Sequence, residues 1–375
     1  MPSAASKSPP ARSLVAALLP WFAAKHRDLP WRRTRDPYAI WVSEIMLQQT
    51  QVKTVIPYWE RWLGAFPDVT ALAQAPEAKV LKLWEGLGYY SRARNLQKAA
   101  RQVVELHGSR FPENFADILA LPGIGRYTAG AIASIAFNQP APILDGNVIR
   151  VLTRLFALGG DPKEKALQHR LWTLAEELVN TAARIPPPPL PAHFAGPCSA
   201  LNQSLMELGA LVCTPRRPAC GSCPVANRCL AKRQGTAEQF PETKARPETV
   251  ARRFVVAVLE CHGRLCVRKR PEGGVNGGLW EFPNLELAPA DDPSSTASRW
   301  LGIPPDRFVA LRPVSHAITK FRIRLEVLRA AVPRRFTAPD GGEWHSLEGL
   351  DRLALTAAHR RIAGQLAPNP PPPAA

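Results

Sequence analysis

Two carboxylates in the chain have neighbours that could direct them toward catalysis. Glu44 lies among apolar residues, where burial would raise the pKa of its carboxyl group and leave it protonated as an acid. Asp145 precedes an apolar-periodic segment that begins at Val148, which places it at a helix N-terminus. A site with one acid and one anionic carboxylate can combine the chemistry of both. Taken separately, a solvent-facing Glu44 and an ordinary N-cap at Asp145 are the simpler interpretations.

Four closely spaced cysteines form the strongest single motif, Cys213-x6-Cys220-x2-Cys223-x5-Cys229. Their thiolates can hold a four-iron cluster or a structural zinc, and the number of thiolates does not separate the two. The chain has seven cysteines, an odd number, which favours a metal site in a reducing compartment over a disulfide framework. Metal binding would fix a loop that carries Arg216 and Arg217, which are suited to phosphates.

A glycine-containing segment at residues 121–130 could contact nucleic acid. Gly123 and Gly125 can take backbone angles closed to other residues, so a tight hairpin is expected there, leading into a helix that starts at Arg126. Backbone N–H groups at such a helix start can bind one phosphate of a nucleic-acid backbone. Close packing of two helices at the glycines is the alternative.

Composition favours a nucleic-acid partner and more than one domain. The chain has 375 residues, which is long for one hydrophobic core. Its 48 Lys and Arg against 31 Asp and Glu give a formal net charge of +17, so a polyanion is the expected partner. The sequence shows neither an apolar run of about eighteen residues nor a secretory signal, so we expect a soluble intracellular protein.

Helical periodicity positions the two carboxylates. One helix begins at Ser13, and another is expected from Tyr38 to about Thr50, with Asp36 as its N-cap and Pro37 in its first turn. Residues 72–100 contain two more helical patterns, broken at residues 86–92. The aromatic residues in this break, between glycines and arginines, suit an exposed wedge that enters a base stack, with a packed turn as the alternative.

After about residue 250 the periodicity changes from helical to alternating. Residues 254–259, 265–267 and 321–327 alternate with period two, which predicts strands of a mixed α/β domain. Residues 277–283 are similar to the Nudix fold. The glutamates that a Nudix hydrolase needs for magnesium are missing after Pro283, so we expect a recognition domain without hydrolase chemistry.

Several long motifs together resemble the adenine DNA glycosylases of the MutY type. They are PWR at residues 30–32, WVSEIMLQQT at 41–50, EGLGYY at 85–90, LPGIGRYTAG at 121–130, DGN at 145–147 and GALVC at 209–213. The resemblance covers about residues 13–230. It implies a helical helix-hairpin-helix glycosylase with a [4Fe-4S] cluster, followed by a Nudix-like mixed α/β domain.

Composition, periodicity and the resemblance together set the expected boundaries and partners. We expect a disordered tail at 1–12, the glycosylase with its cluster at 13–230, a linker at 231–250, a Nudix-like lesion-recognition domain at 251–365 and a Pro-rich tail at 366–375. The substrate would be double-stranded DNA in which adenine is mispaired with 8-oxoguanine or guanine. The expected enzyme flips out the adenine and removes it by hydrolysis. It would act as a monomer, in the cytoplasm of a bacterium and on the nucleoid.

Roles follow from the motif positions. Glu44 would protonate adenine and then activate water, Asp145 would stabilise the positive sugar, Tyr127 would orient Glu44 and Asn147 would hold the transition-state network. The cluster ligands would be Cys213, Cys220, Cys223 and Cys229. Residues expected to line the adenine pocket or contact DNA are Arg27, Trp31, Arg32, Gln48, Gln49, Thr50, Leu87, Tyr89, Gly123, Gly125, Gln203, His316, Thr319 and Lys320.

Two features bear on the alternatives. An endonuclease III-type glycosylase/lyase needs a Lys in the helix after the hairpin, and this chain has Tyr127 there. A non-catalytic iron–sulfur DNA-binding protein would not require Glu44 and Asp145 together.

The family's usual Phe-Ser-His in the C-terminal domain is replaced here by Ile318-Thr319-Lys320, which leaves the strength of the preference for 8-oxoguanine open.

Overall fold

The computed structural model describes residues 9–186, 189–242 and 248–366. Contacts divide the chain into two compact units: residues up to 74 with 95–245, and residues 75–94 with 246 onward. Most of both predicted tails lies outside the described residues, as do Pro187, Pro188 and part of the predicted linker. Each unit is therefore considered by itself.

The first unit is helical. The α-helices that precede residue 246 in the chain are α1 (Ala11–Lys25), α2 (Pro37–Leu47), α3 (Val52–Ala65), α4 (Val69–Gln74), α5 (Glu77–Leu83), α6 (Ser91–His107), α7 (Phe115–Ala120), α8 (Arg126–Ile135), α9 (Gly146–Leu155), α10 (Lys165–Ala183), α11 (Pro197–Leu211) and α12 (Leu230–Gln234). Of these, α5 and the start of α6 belong to the second unit. Buried apolar residues of α1, α8, α9, α10 and α11 form one continuous core. None of the described helices is long and apolar enough to cross a membrane.

Helix α2, which carries Glu44, begins as predicted. The Asp36 carboxylate accepts the Tyr38 N–H at 3.0 Å, and Pro37 occupies the first turn, where its missing N–H costs no hydrogen bond. The helix ends at Leu47 rather than near Thr50, because Gln49 takes a left-handed conformation with φ 57° that cannot continue an α-helix.

The first half of the predicted linker folds onto the helices. Helix α12 and a 3-10 turn at Ala237–Gln239 occupy its first half, and Phe240 packs against the helical core. The buried Arg154 guanidinium donates from Nε to the Phe240 carbonyl at 2.9 Å. This long-range hydrogen bond explains why a segment with the composition of a linker folds onto the helices.

The second unit is a mixed sheet with helices. Its strands are β1 (Val250–Cys261), β2 (Arg264–Lys269), β3 (Trp280–Glu281), β4 (Asn284–Leu287), β5 (Val309–Ala310), β6 (Val314–Ile318), β7 (Phe321–Ala331) and β8 (Glu343–Ser346), and its remaining helices are α13 (Pro293–Leu301), α14 (Leu347–Leu350) and α15 (Ala357–Ala363). Strand β1 is parallel to β7 from Val250↔Phe321 to Glu260↔Ala331 and antiparallel to β2 and β4. The predicted fold class, a helical domain followed by a mixed α/β domain, is confirmed.

The segment 75–94 joins the second unit, although its helical pattern suggested the glycosylase domain. Arg360 Nε donates to Glu85 Oε1 at 2.6 Å, and Arg94 Nη2 donates to the Gly277 carbonyl at 2.6 Å. Both contacts join residues far apart in the sequence. The segment that carries Leu87 and Tyr89 is thus held by the sheet domain.

Candidate active site

A cavity of about 610 Å³ lies among helices of the first unit. Its volume is in the range of sites that enclose one small ligand or one extruded base. The predicted catalytic and substrate-contacting residues that line it are Arg27, Trp31, Arg32, Glu44, Gln48, Gln49, Thr50, Tyr127, Asp145, Asn147 and Gln203. Residues from five separate sequence regions therefore converge on one space.

Glu44 is buried in this cavity, with 6% of its surface exposed. The Tyr127 hydroxyl donates to Glu44 Oε2 at 2.7 Å and lies 3.4 Å from Met206 Sδ. Burial raises the pKa of Glu44 to about 7, helped by the negative charge of Asp145 and opposed by the Tyr127 hydrogen bond and Arg32. The prediction of a buried carboxyl that is partly protonated near neutral pH agrees with this environment.

Asp145 is the N-cap of α9, so the simple interpretation and the catalytic one describe the same residue. Its Oδ1 accepts the Val148 N–H at 2.7 Å, and its Oδ2 accepts from Asn147 Nδ2 at 2.9 Å. Burial raises the pKa of Asp145, while the Val148 and Asn147 hydrogen bonds and the charge of Arg150 oppose that shift. Asp145 thus receives donors suited to an anion, whereas Glu44 receives one phenol.

Sequence reasoning missed Glu207, a fully buried carboxylate behind the cavity wall. Arg27 donates to it from Nε to Oε1 at 3.0 Å and from Nη2 to Oε2 at 2.7 Å. Arg32 donates to the same two oxygens at 3.1 and 3.0 Å. The spacing of four between Gln203 and Glu207, which places both on one face of α11, was the available signal.

A second missed residue, Arg150, connects Asn147 to the cysteine loop. Its Nη2 donates to Asn147 Oδ1 and to the Gly209 carbonyl, each at 2.8 Å, and its Nε donates to the Cys213 carbonyl at 2.7 Å. One planar guanidinium therefore fixes three segments. In the sequence, Arg150 resembles any basic residue on a helix surface.

The four predicted cysteines line a single small pocket. Among the described residues, no three His, Cys, Asp or Glu side chains are placed to hold a single metal ion. Four thiols around a shared pocket are the ligand set of an iron–sulfur cluster. Cys213, Cys220, Cys223 and Cys229 would hold such a cluster.

Arg154 supports the cysteine loop from α9. It is 2% exposed, and its guanidinium donates to the Thr214 carbonyl at 2.7 Å, to the Pro215 carbonyl at 2.9 Å and to Cys213 Sγ at 3.4 Å. A buried cation beside the thiols is also suited to offset the negative charge of thiolate ligands. Arg216 and Arg217 are exposed in the same loop.

The glycine hairpin forms, but its two glycines differ. Gly123 has φ 77°, and a Cβ there would lie 2.5 Å from Asn95 Cβ, so this position requires glycine. Gly125 has φ −95°, which other residues also adopt, so the expectation that it needs a special conformation is wrong. Gly125 is the N-cap of α8, and the space beside it is open, which allows close approach to the first N–H groups of that helix.

Predicted contacts with DNA also lie in the second unit. A cavity of about 500 Å³ is lined there by Leu87, Tyr89, His316 and Thr319, among others. Lys320 is exposed in the adjoining hairpin loop. Thr319 has φ 53°, an uncommon conformation for a β-branched residue, which is a feature that recurs at functional sites.

In the break at residues 86–92, one aromatic side chain is exposed and the other is packed. Tyr89 is 54% exposed, as a wedge residue should be, and has φ 45°. Tyr90 is 4% exposed, so this residue fits the alternative of a packed turn. Leu87 is 6% exposed and lies in the cavity wall instead of projecting from it.

Three family models match the chain. A base excision DNA repair protein of the HhH-GPD superfamily matches residues 42–177, the iron–sulfur binding domain of endonuclease III matches 213–229, and a NUDIX domain matches 254–365. The second match coincides with the cysteine motif, so the predicted iron–sulfur cofactor is confirmed.

Whole-chain relatives agree with the domain matches. The adenine DNA glycosylase of Mus musculus is 37% identical over 92% of this chain and 76% of its own length, and that of Homo sapiens is 36% identical over 92% and 72%. Among solved structures, a thermostable thymine-DNA glycosylase is 31% identical with a TM-score of 0.51, and the match covers 60% of this chain and 97% of that one.

Proposed function

The chain belongs to the adenine DNA glycosylases, the base excision repair enzymes that release adenine, and we propose that it hydrolyses adenine from mispairs with 8-oxoguanine or guanine without a lyase step. One observation carries the catalytic part of this proposal. Glu44 and Asp145 line the same cavity, one held by a phenol and the other by amide donors.

Glu44 is the general acid. Adenine is a poor leaving group, so N7 must be protonated as the bond between the base and the sugar breaks. The Tyr127 hydroxyl occupies Glu44 Oε2, which leaves Oε1 to carry the proton. Burial raises the pKa of Glu44 to about 7, so a substantial fraction carries that proton at neutral pH. The carboxylate left after proton transfer then activates water.

Asp145 stabilises the positive charge that develops on the sugar when adenine leaves with the bonding electrons. The hydrogen bonds from Val148 N–H and Asn147 Nδ2 hold its two oxygens in place before the reaction. Preorganised charge of this kind is usually the largest single contribution to catalysis. Water then adds to the sugar and leaves an abasic site.

The absence of a lyase step is proposed from Tyr127. A lyase forms a Schiff base through an amine, and a phenol cannot do so. In the described chain, the residues lining the cavity include no lysine. Tyr127 instead donates to the catalytic acid.

Binding to DNA uses three surfaces. The open N-terminus of α8 at Gly125 suits one phosphate, and the cluster anchors the exposed Arg216 and Arg217 for others. In the second unit, Tyr89 and Thr319 flank a cavity suited to the base opposite adenine. The Thr319 hydroxyl can donate to O8 or accept from N7–H of 8-oxoguanine, and Lys320 can donate to O8 or to a phosphate.

A glycosylase assay tests the proposal. The purified protein is incubated with duplexes that carry adenine opposite 8-oxoguanine, guanine or thymine, and the strands are analysed before and after alkali. We expect cleavage after alkali for the first two duplexes, faster for 8-oxoguanine, and little adduct trapped by borohydride. Strand breaks without alkali, or efficient trapping, would instead establish a lyase, and intact strands would exclude the proposed function.

A further inference from the structure

The buried carboxylate Glu207 is the centre of an ion cluster that the mechanism above does not use. Arg27 reaches it with its backbone N–H at 2.8 Å as well as with its guanidinium, and Arg32 Nη1 also donates to the Arg27 carbonyl at 3.1 Å. The carboxylate is 0% exposed, the Arg32 side chain 7% and the Arg27 side chain 34%. One anion therefore fixes two cations that line the active-site cavity.

Both carboxylate oxygens of Glu207 accept hydrogen bonds from the two arginines. Burial by itself would raise the pKa of Glu207, but hydrogen bonds from Arg27 and Arg32 outweigh it and lower the pKa to about 2. Glu207 is thus negative at any pH where the enzyme would work. Arg27, Arg32 and Glu207 together therefore carry a single net positive charge.

That residual charge lies near the catalytic acid. Glu44 is faced by Tyr127 from α8, by Asp145 from the start of α9 and by Arg32 from the 3-10 turn Pro30–Arg32. Of these, Arg32 is the cation, and its charge favours the ionised form of Glu44. An unmasked second cation would strengthen that effect, because charges interact strongly in a buried site.

We propose that Glu207 is a positioning residue that holds Arg27 and Arg32 in the cavity wall and masks their charge, so that Glu44 stays protonated. The inference rests on the proposed role of Glu44 as an acid. It gives α11 a further role besides lining the cavity with Gln203 and Met206, although Glu207 itself touches no reacting atom. Glu207 fixes both arginines in the cavity wall without excess positive charge.

The test measures the pH dependence of single-turnover adenine release from the 8-oxoguanine duplex. In the wild-type protein the rate should fall as pH rises through about 7, where Glu44 ionises. Glu207→Gln keeps the shape of the side chain and adds one net positive charge to the site. The fall in the rate of adenine release should therefore move to lower pH by about one unit. A merely structural role would lower the rate equally at every pH.

Two further variants keep the test decisive if Glu207→Gln folds poorly. Arg32→Gln removes the cation while Arg27 still pairs with Glu207, so the fall should move to higher pH. The double variant Arg32→Gln with Glu207→Gln restores the original net charge. The pH at which its rate falls should return toward that of the wild type. The matched control is Asp28→Asn, which removes a carboxylate from the exposed Asp28–Arg33 pair and should leave the pH profile unchanged.

A titration without DNA separates this inference from the proposed function. The carboxyl carbon of Glu44, assigned by comparison with Glu44→Gln, reports ionisation by NMR in proteins labelled at glutamate. If the wild-type protein releases no adenine but Glu207→Gln shifts this titration, the proposed function fails and the charge masking stands. An unchanged midpoint in both Glu207→Gln and Arg32→Gln would overturn the inference.

Discussion

The catalytic cavity of the helical unit and the hairpin cavity of the sheet unit hold their functional side chains differently. In the helical unit, Glu44, Asp145 and Glu207 each accept hydrogen bonds from donors in the folded protein. In the sheet unit, Thr319 and Lys320 are exposed in a hairpin loop, and the Thr319 hydroxyl donates to the carbonyl of its neighbour Ile318 at 2.7 Å. Both cavities are lined by residues from distant segments, but the carboxylates of the first are fixed by hydrogen bonds, some of them long-range, whereas the Thr319 hydroxyl is held only by its neighbour in the hairpin.

This contrast follows from the two tasks. An acid that is protonated near neutral pH needs desolvation, which the protein core provides. A group that discriminates between bases gains its partner from the DNA, so it can remain solvated until binding. Changes in the catalytic cavity should therefore alter the rate of bond cleavage, whereas changes in the hairpin should alter the preference between mispairs.

The largest effect should come from the two carboxylates. Glu44→Gln removes the proton donor and should lower single-turnover adenine release by about 10²- to 10⁴-fold. Asp145→Asn removes the stabilising charge and should lower it by about 10²- to 10³-fold. Both variants should still bind the duplex in a gel-shift assay. Near-wild-type turnover in either would contradict the assigned roles and the division between the sites.

The rate of adenine release should depend strongly on pH, whereas the preference between mispairs should not. Glu44 is active when protonated, and burial raises its pKa to about 7, so the rate should be level just below that pH, until Asp145, whose pKa burial also raises, becomes protonated. Above the pKa of Glu44, the rate should fall about tenfold for each pH unit. Between pH 6 and 8, the ratio of rates for the 8-oxoguanine and guanine duplexes should stay constant, since the Thr319 hydroxyl does not titrate there. A ratio that follows the rate would show that the two cavities are coupled.

A substitution in the cysteine loop of the helical unit should have an effect of intermediate size on affinity for DNA. Cys220→Ser removes one cluster ligand, so iron content should fall and affinity for the duplex should drop about tenfold as the Arg216-Arg217 loop loses its anchor. Cys261→Ser, outside the motif, is the matched control and should keep its iron and affinity. Zinc in the purified wild-type protein, with activity retained after iron is removed, would refute the assignment.

The smallest effects should come from the hairpin. Thr319→Ala should reduce the preference for 8-oxoguanine over guanine about fivefold, the value of one hydrogen bond, whereas Thr319→Ser keeps the hydroxyl and should retain the preference. Lys320→Ala should weaken binding to both mispairs and reduce the salt dependence of affinity by about one counterion. If none of these changes alters preference or salt dependence, the lesion is recognised elsewhere.

Much of the local structure could be predicted from residues close together in the chain. Asp36 with Pro37, the N-cap at Asp145 and the cysteine motif each depend on a few neighbouring residues, so their types and spacing were sufficient. The glycine hairpin was predicted, but the conformation of Gly125 was not, because its open approach depends on what surrounds the turn. Tyr90 and Tyr89 look alike in sequence, and burial alone distinguishes them.

The sequence by itself determined the family, the fold classes of the two domains and the iron–sulfur cofactor, and it predicted the cluster ligands and the two carboxylates, since all of these are expressed in contiguous motifs. Tertiary structure alone decided that Arg27 and Arg32 pair with Glu207, that Arg150 and Arg154 brace the cysteine loop, and that residues 75–94 fold with the sheet. Such contacts join residues up to 275 positions apart. Their partners are chosen by packing and charge in three dimensions, and no pattern along the chain records that choice.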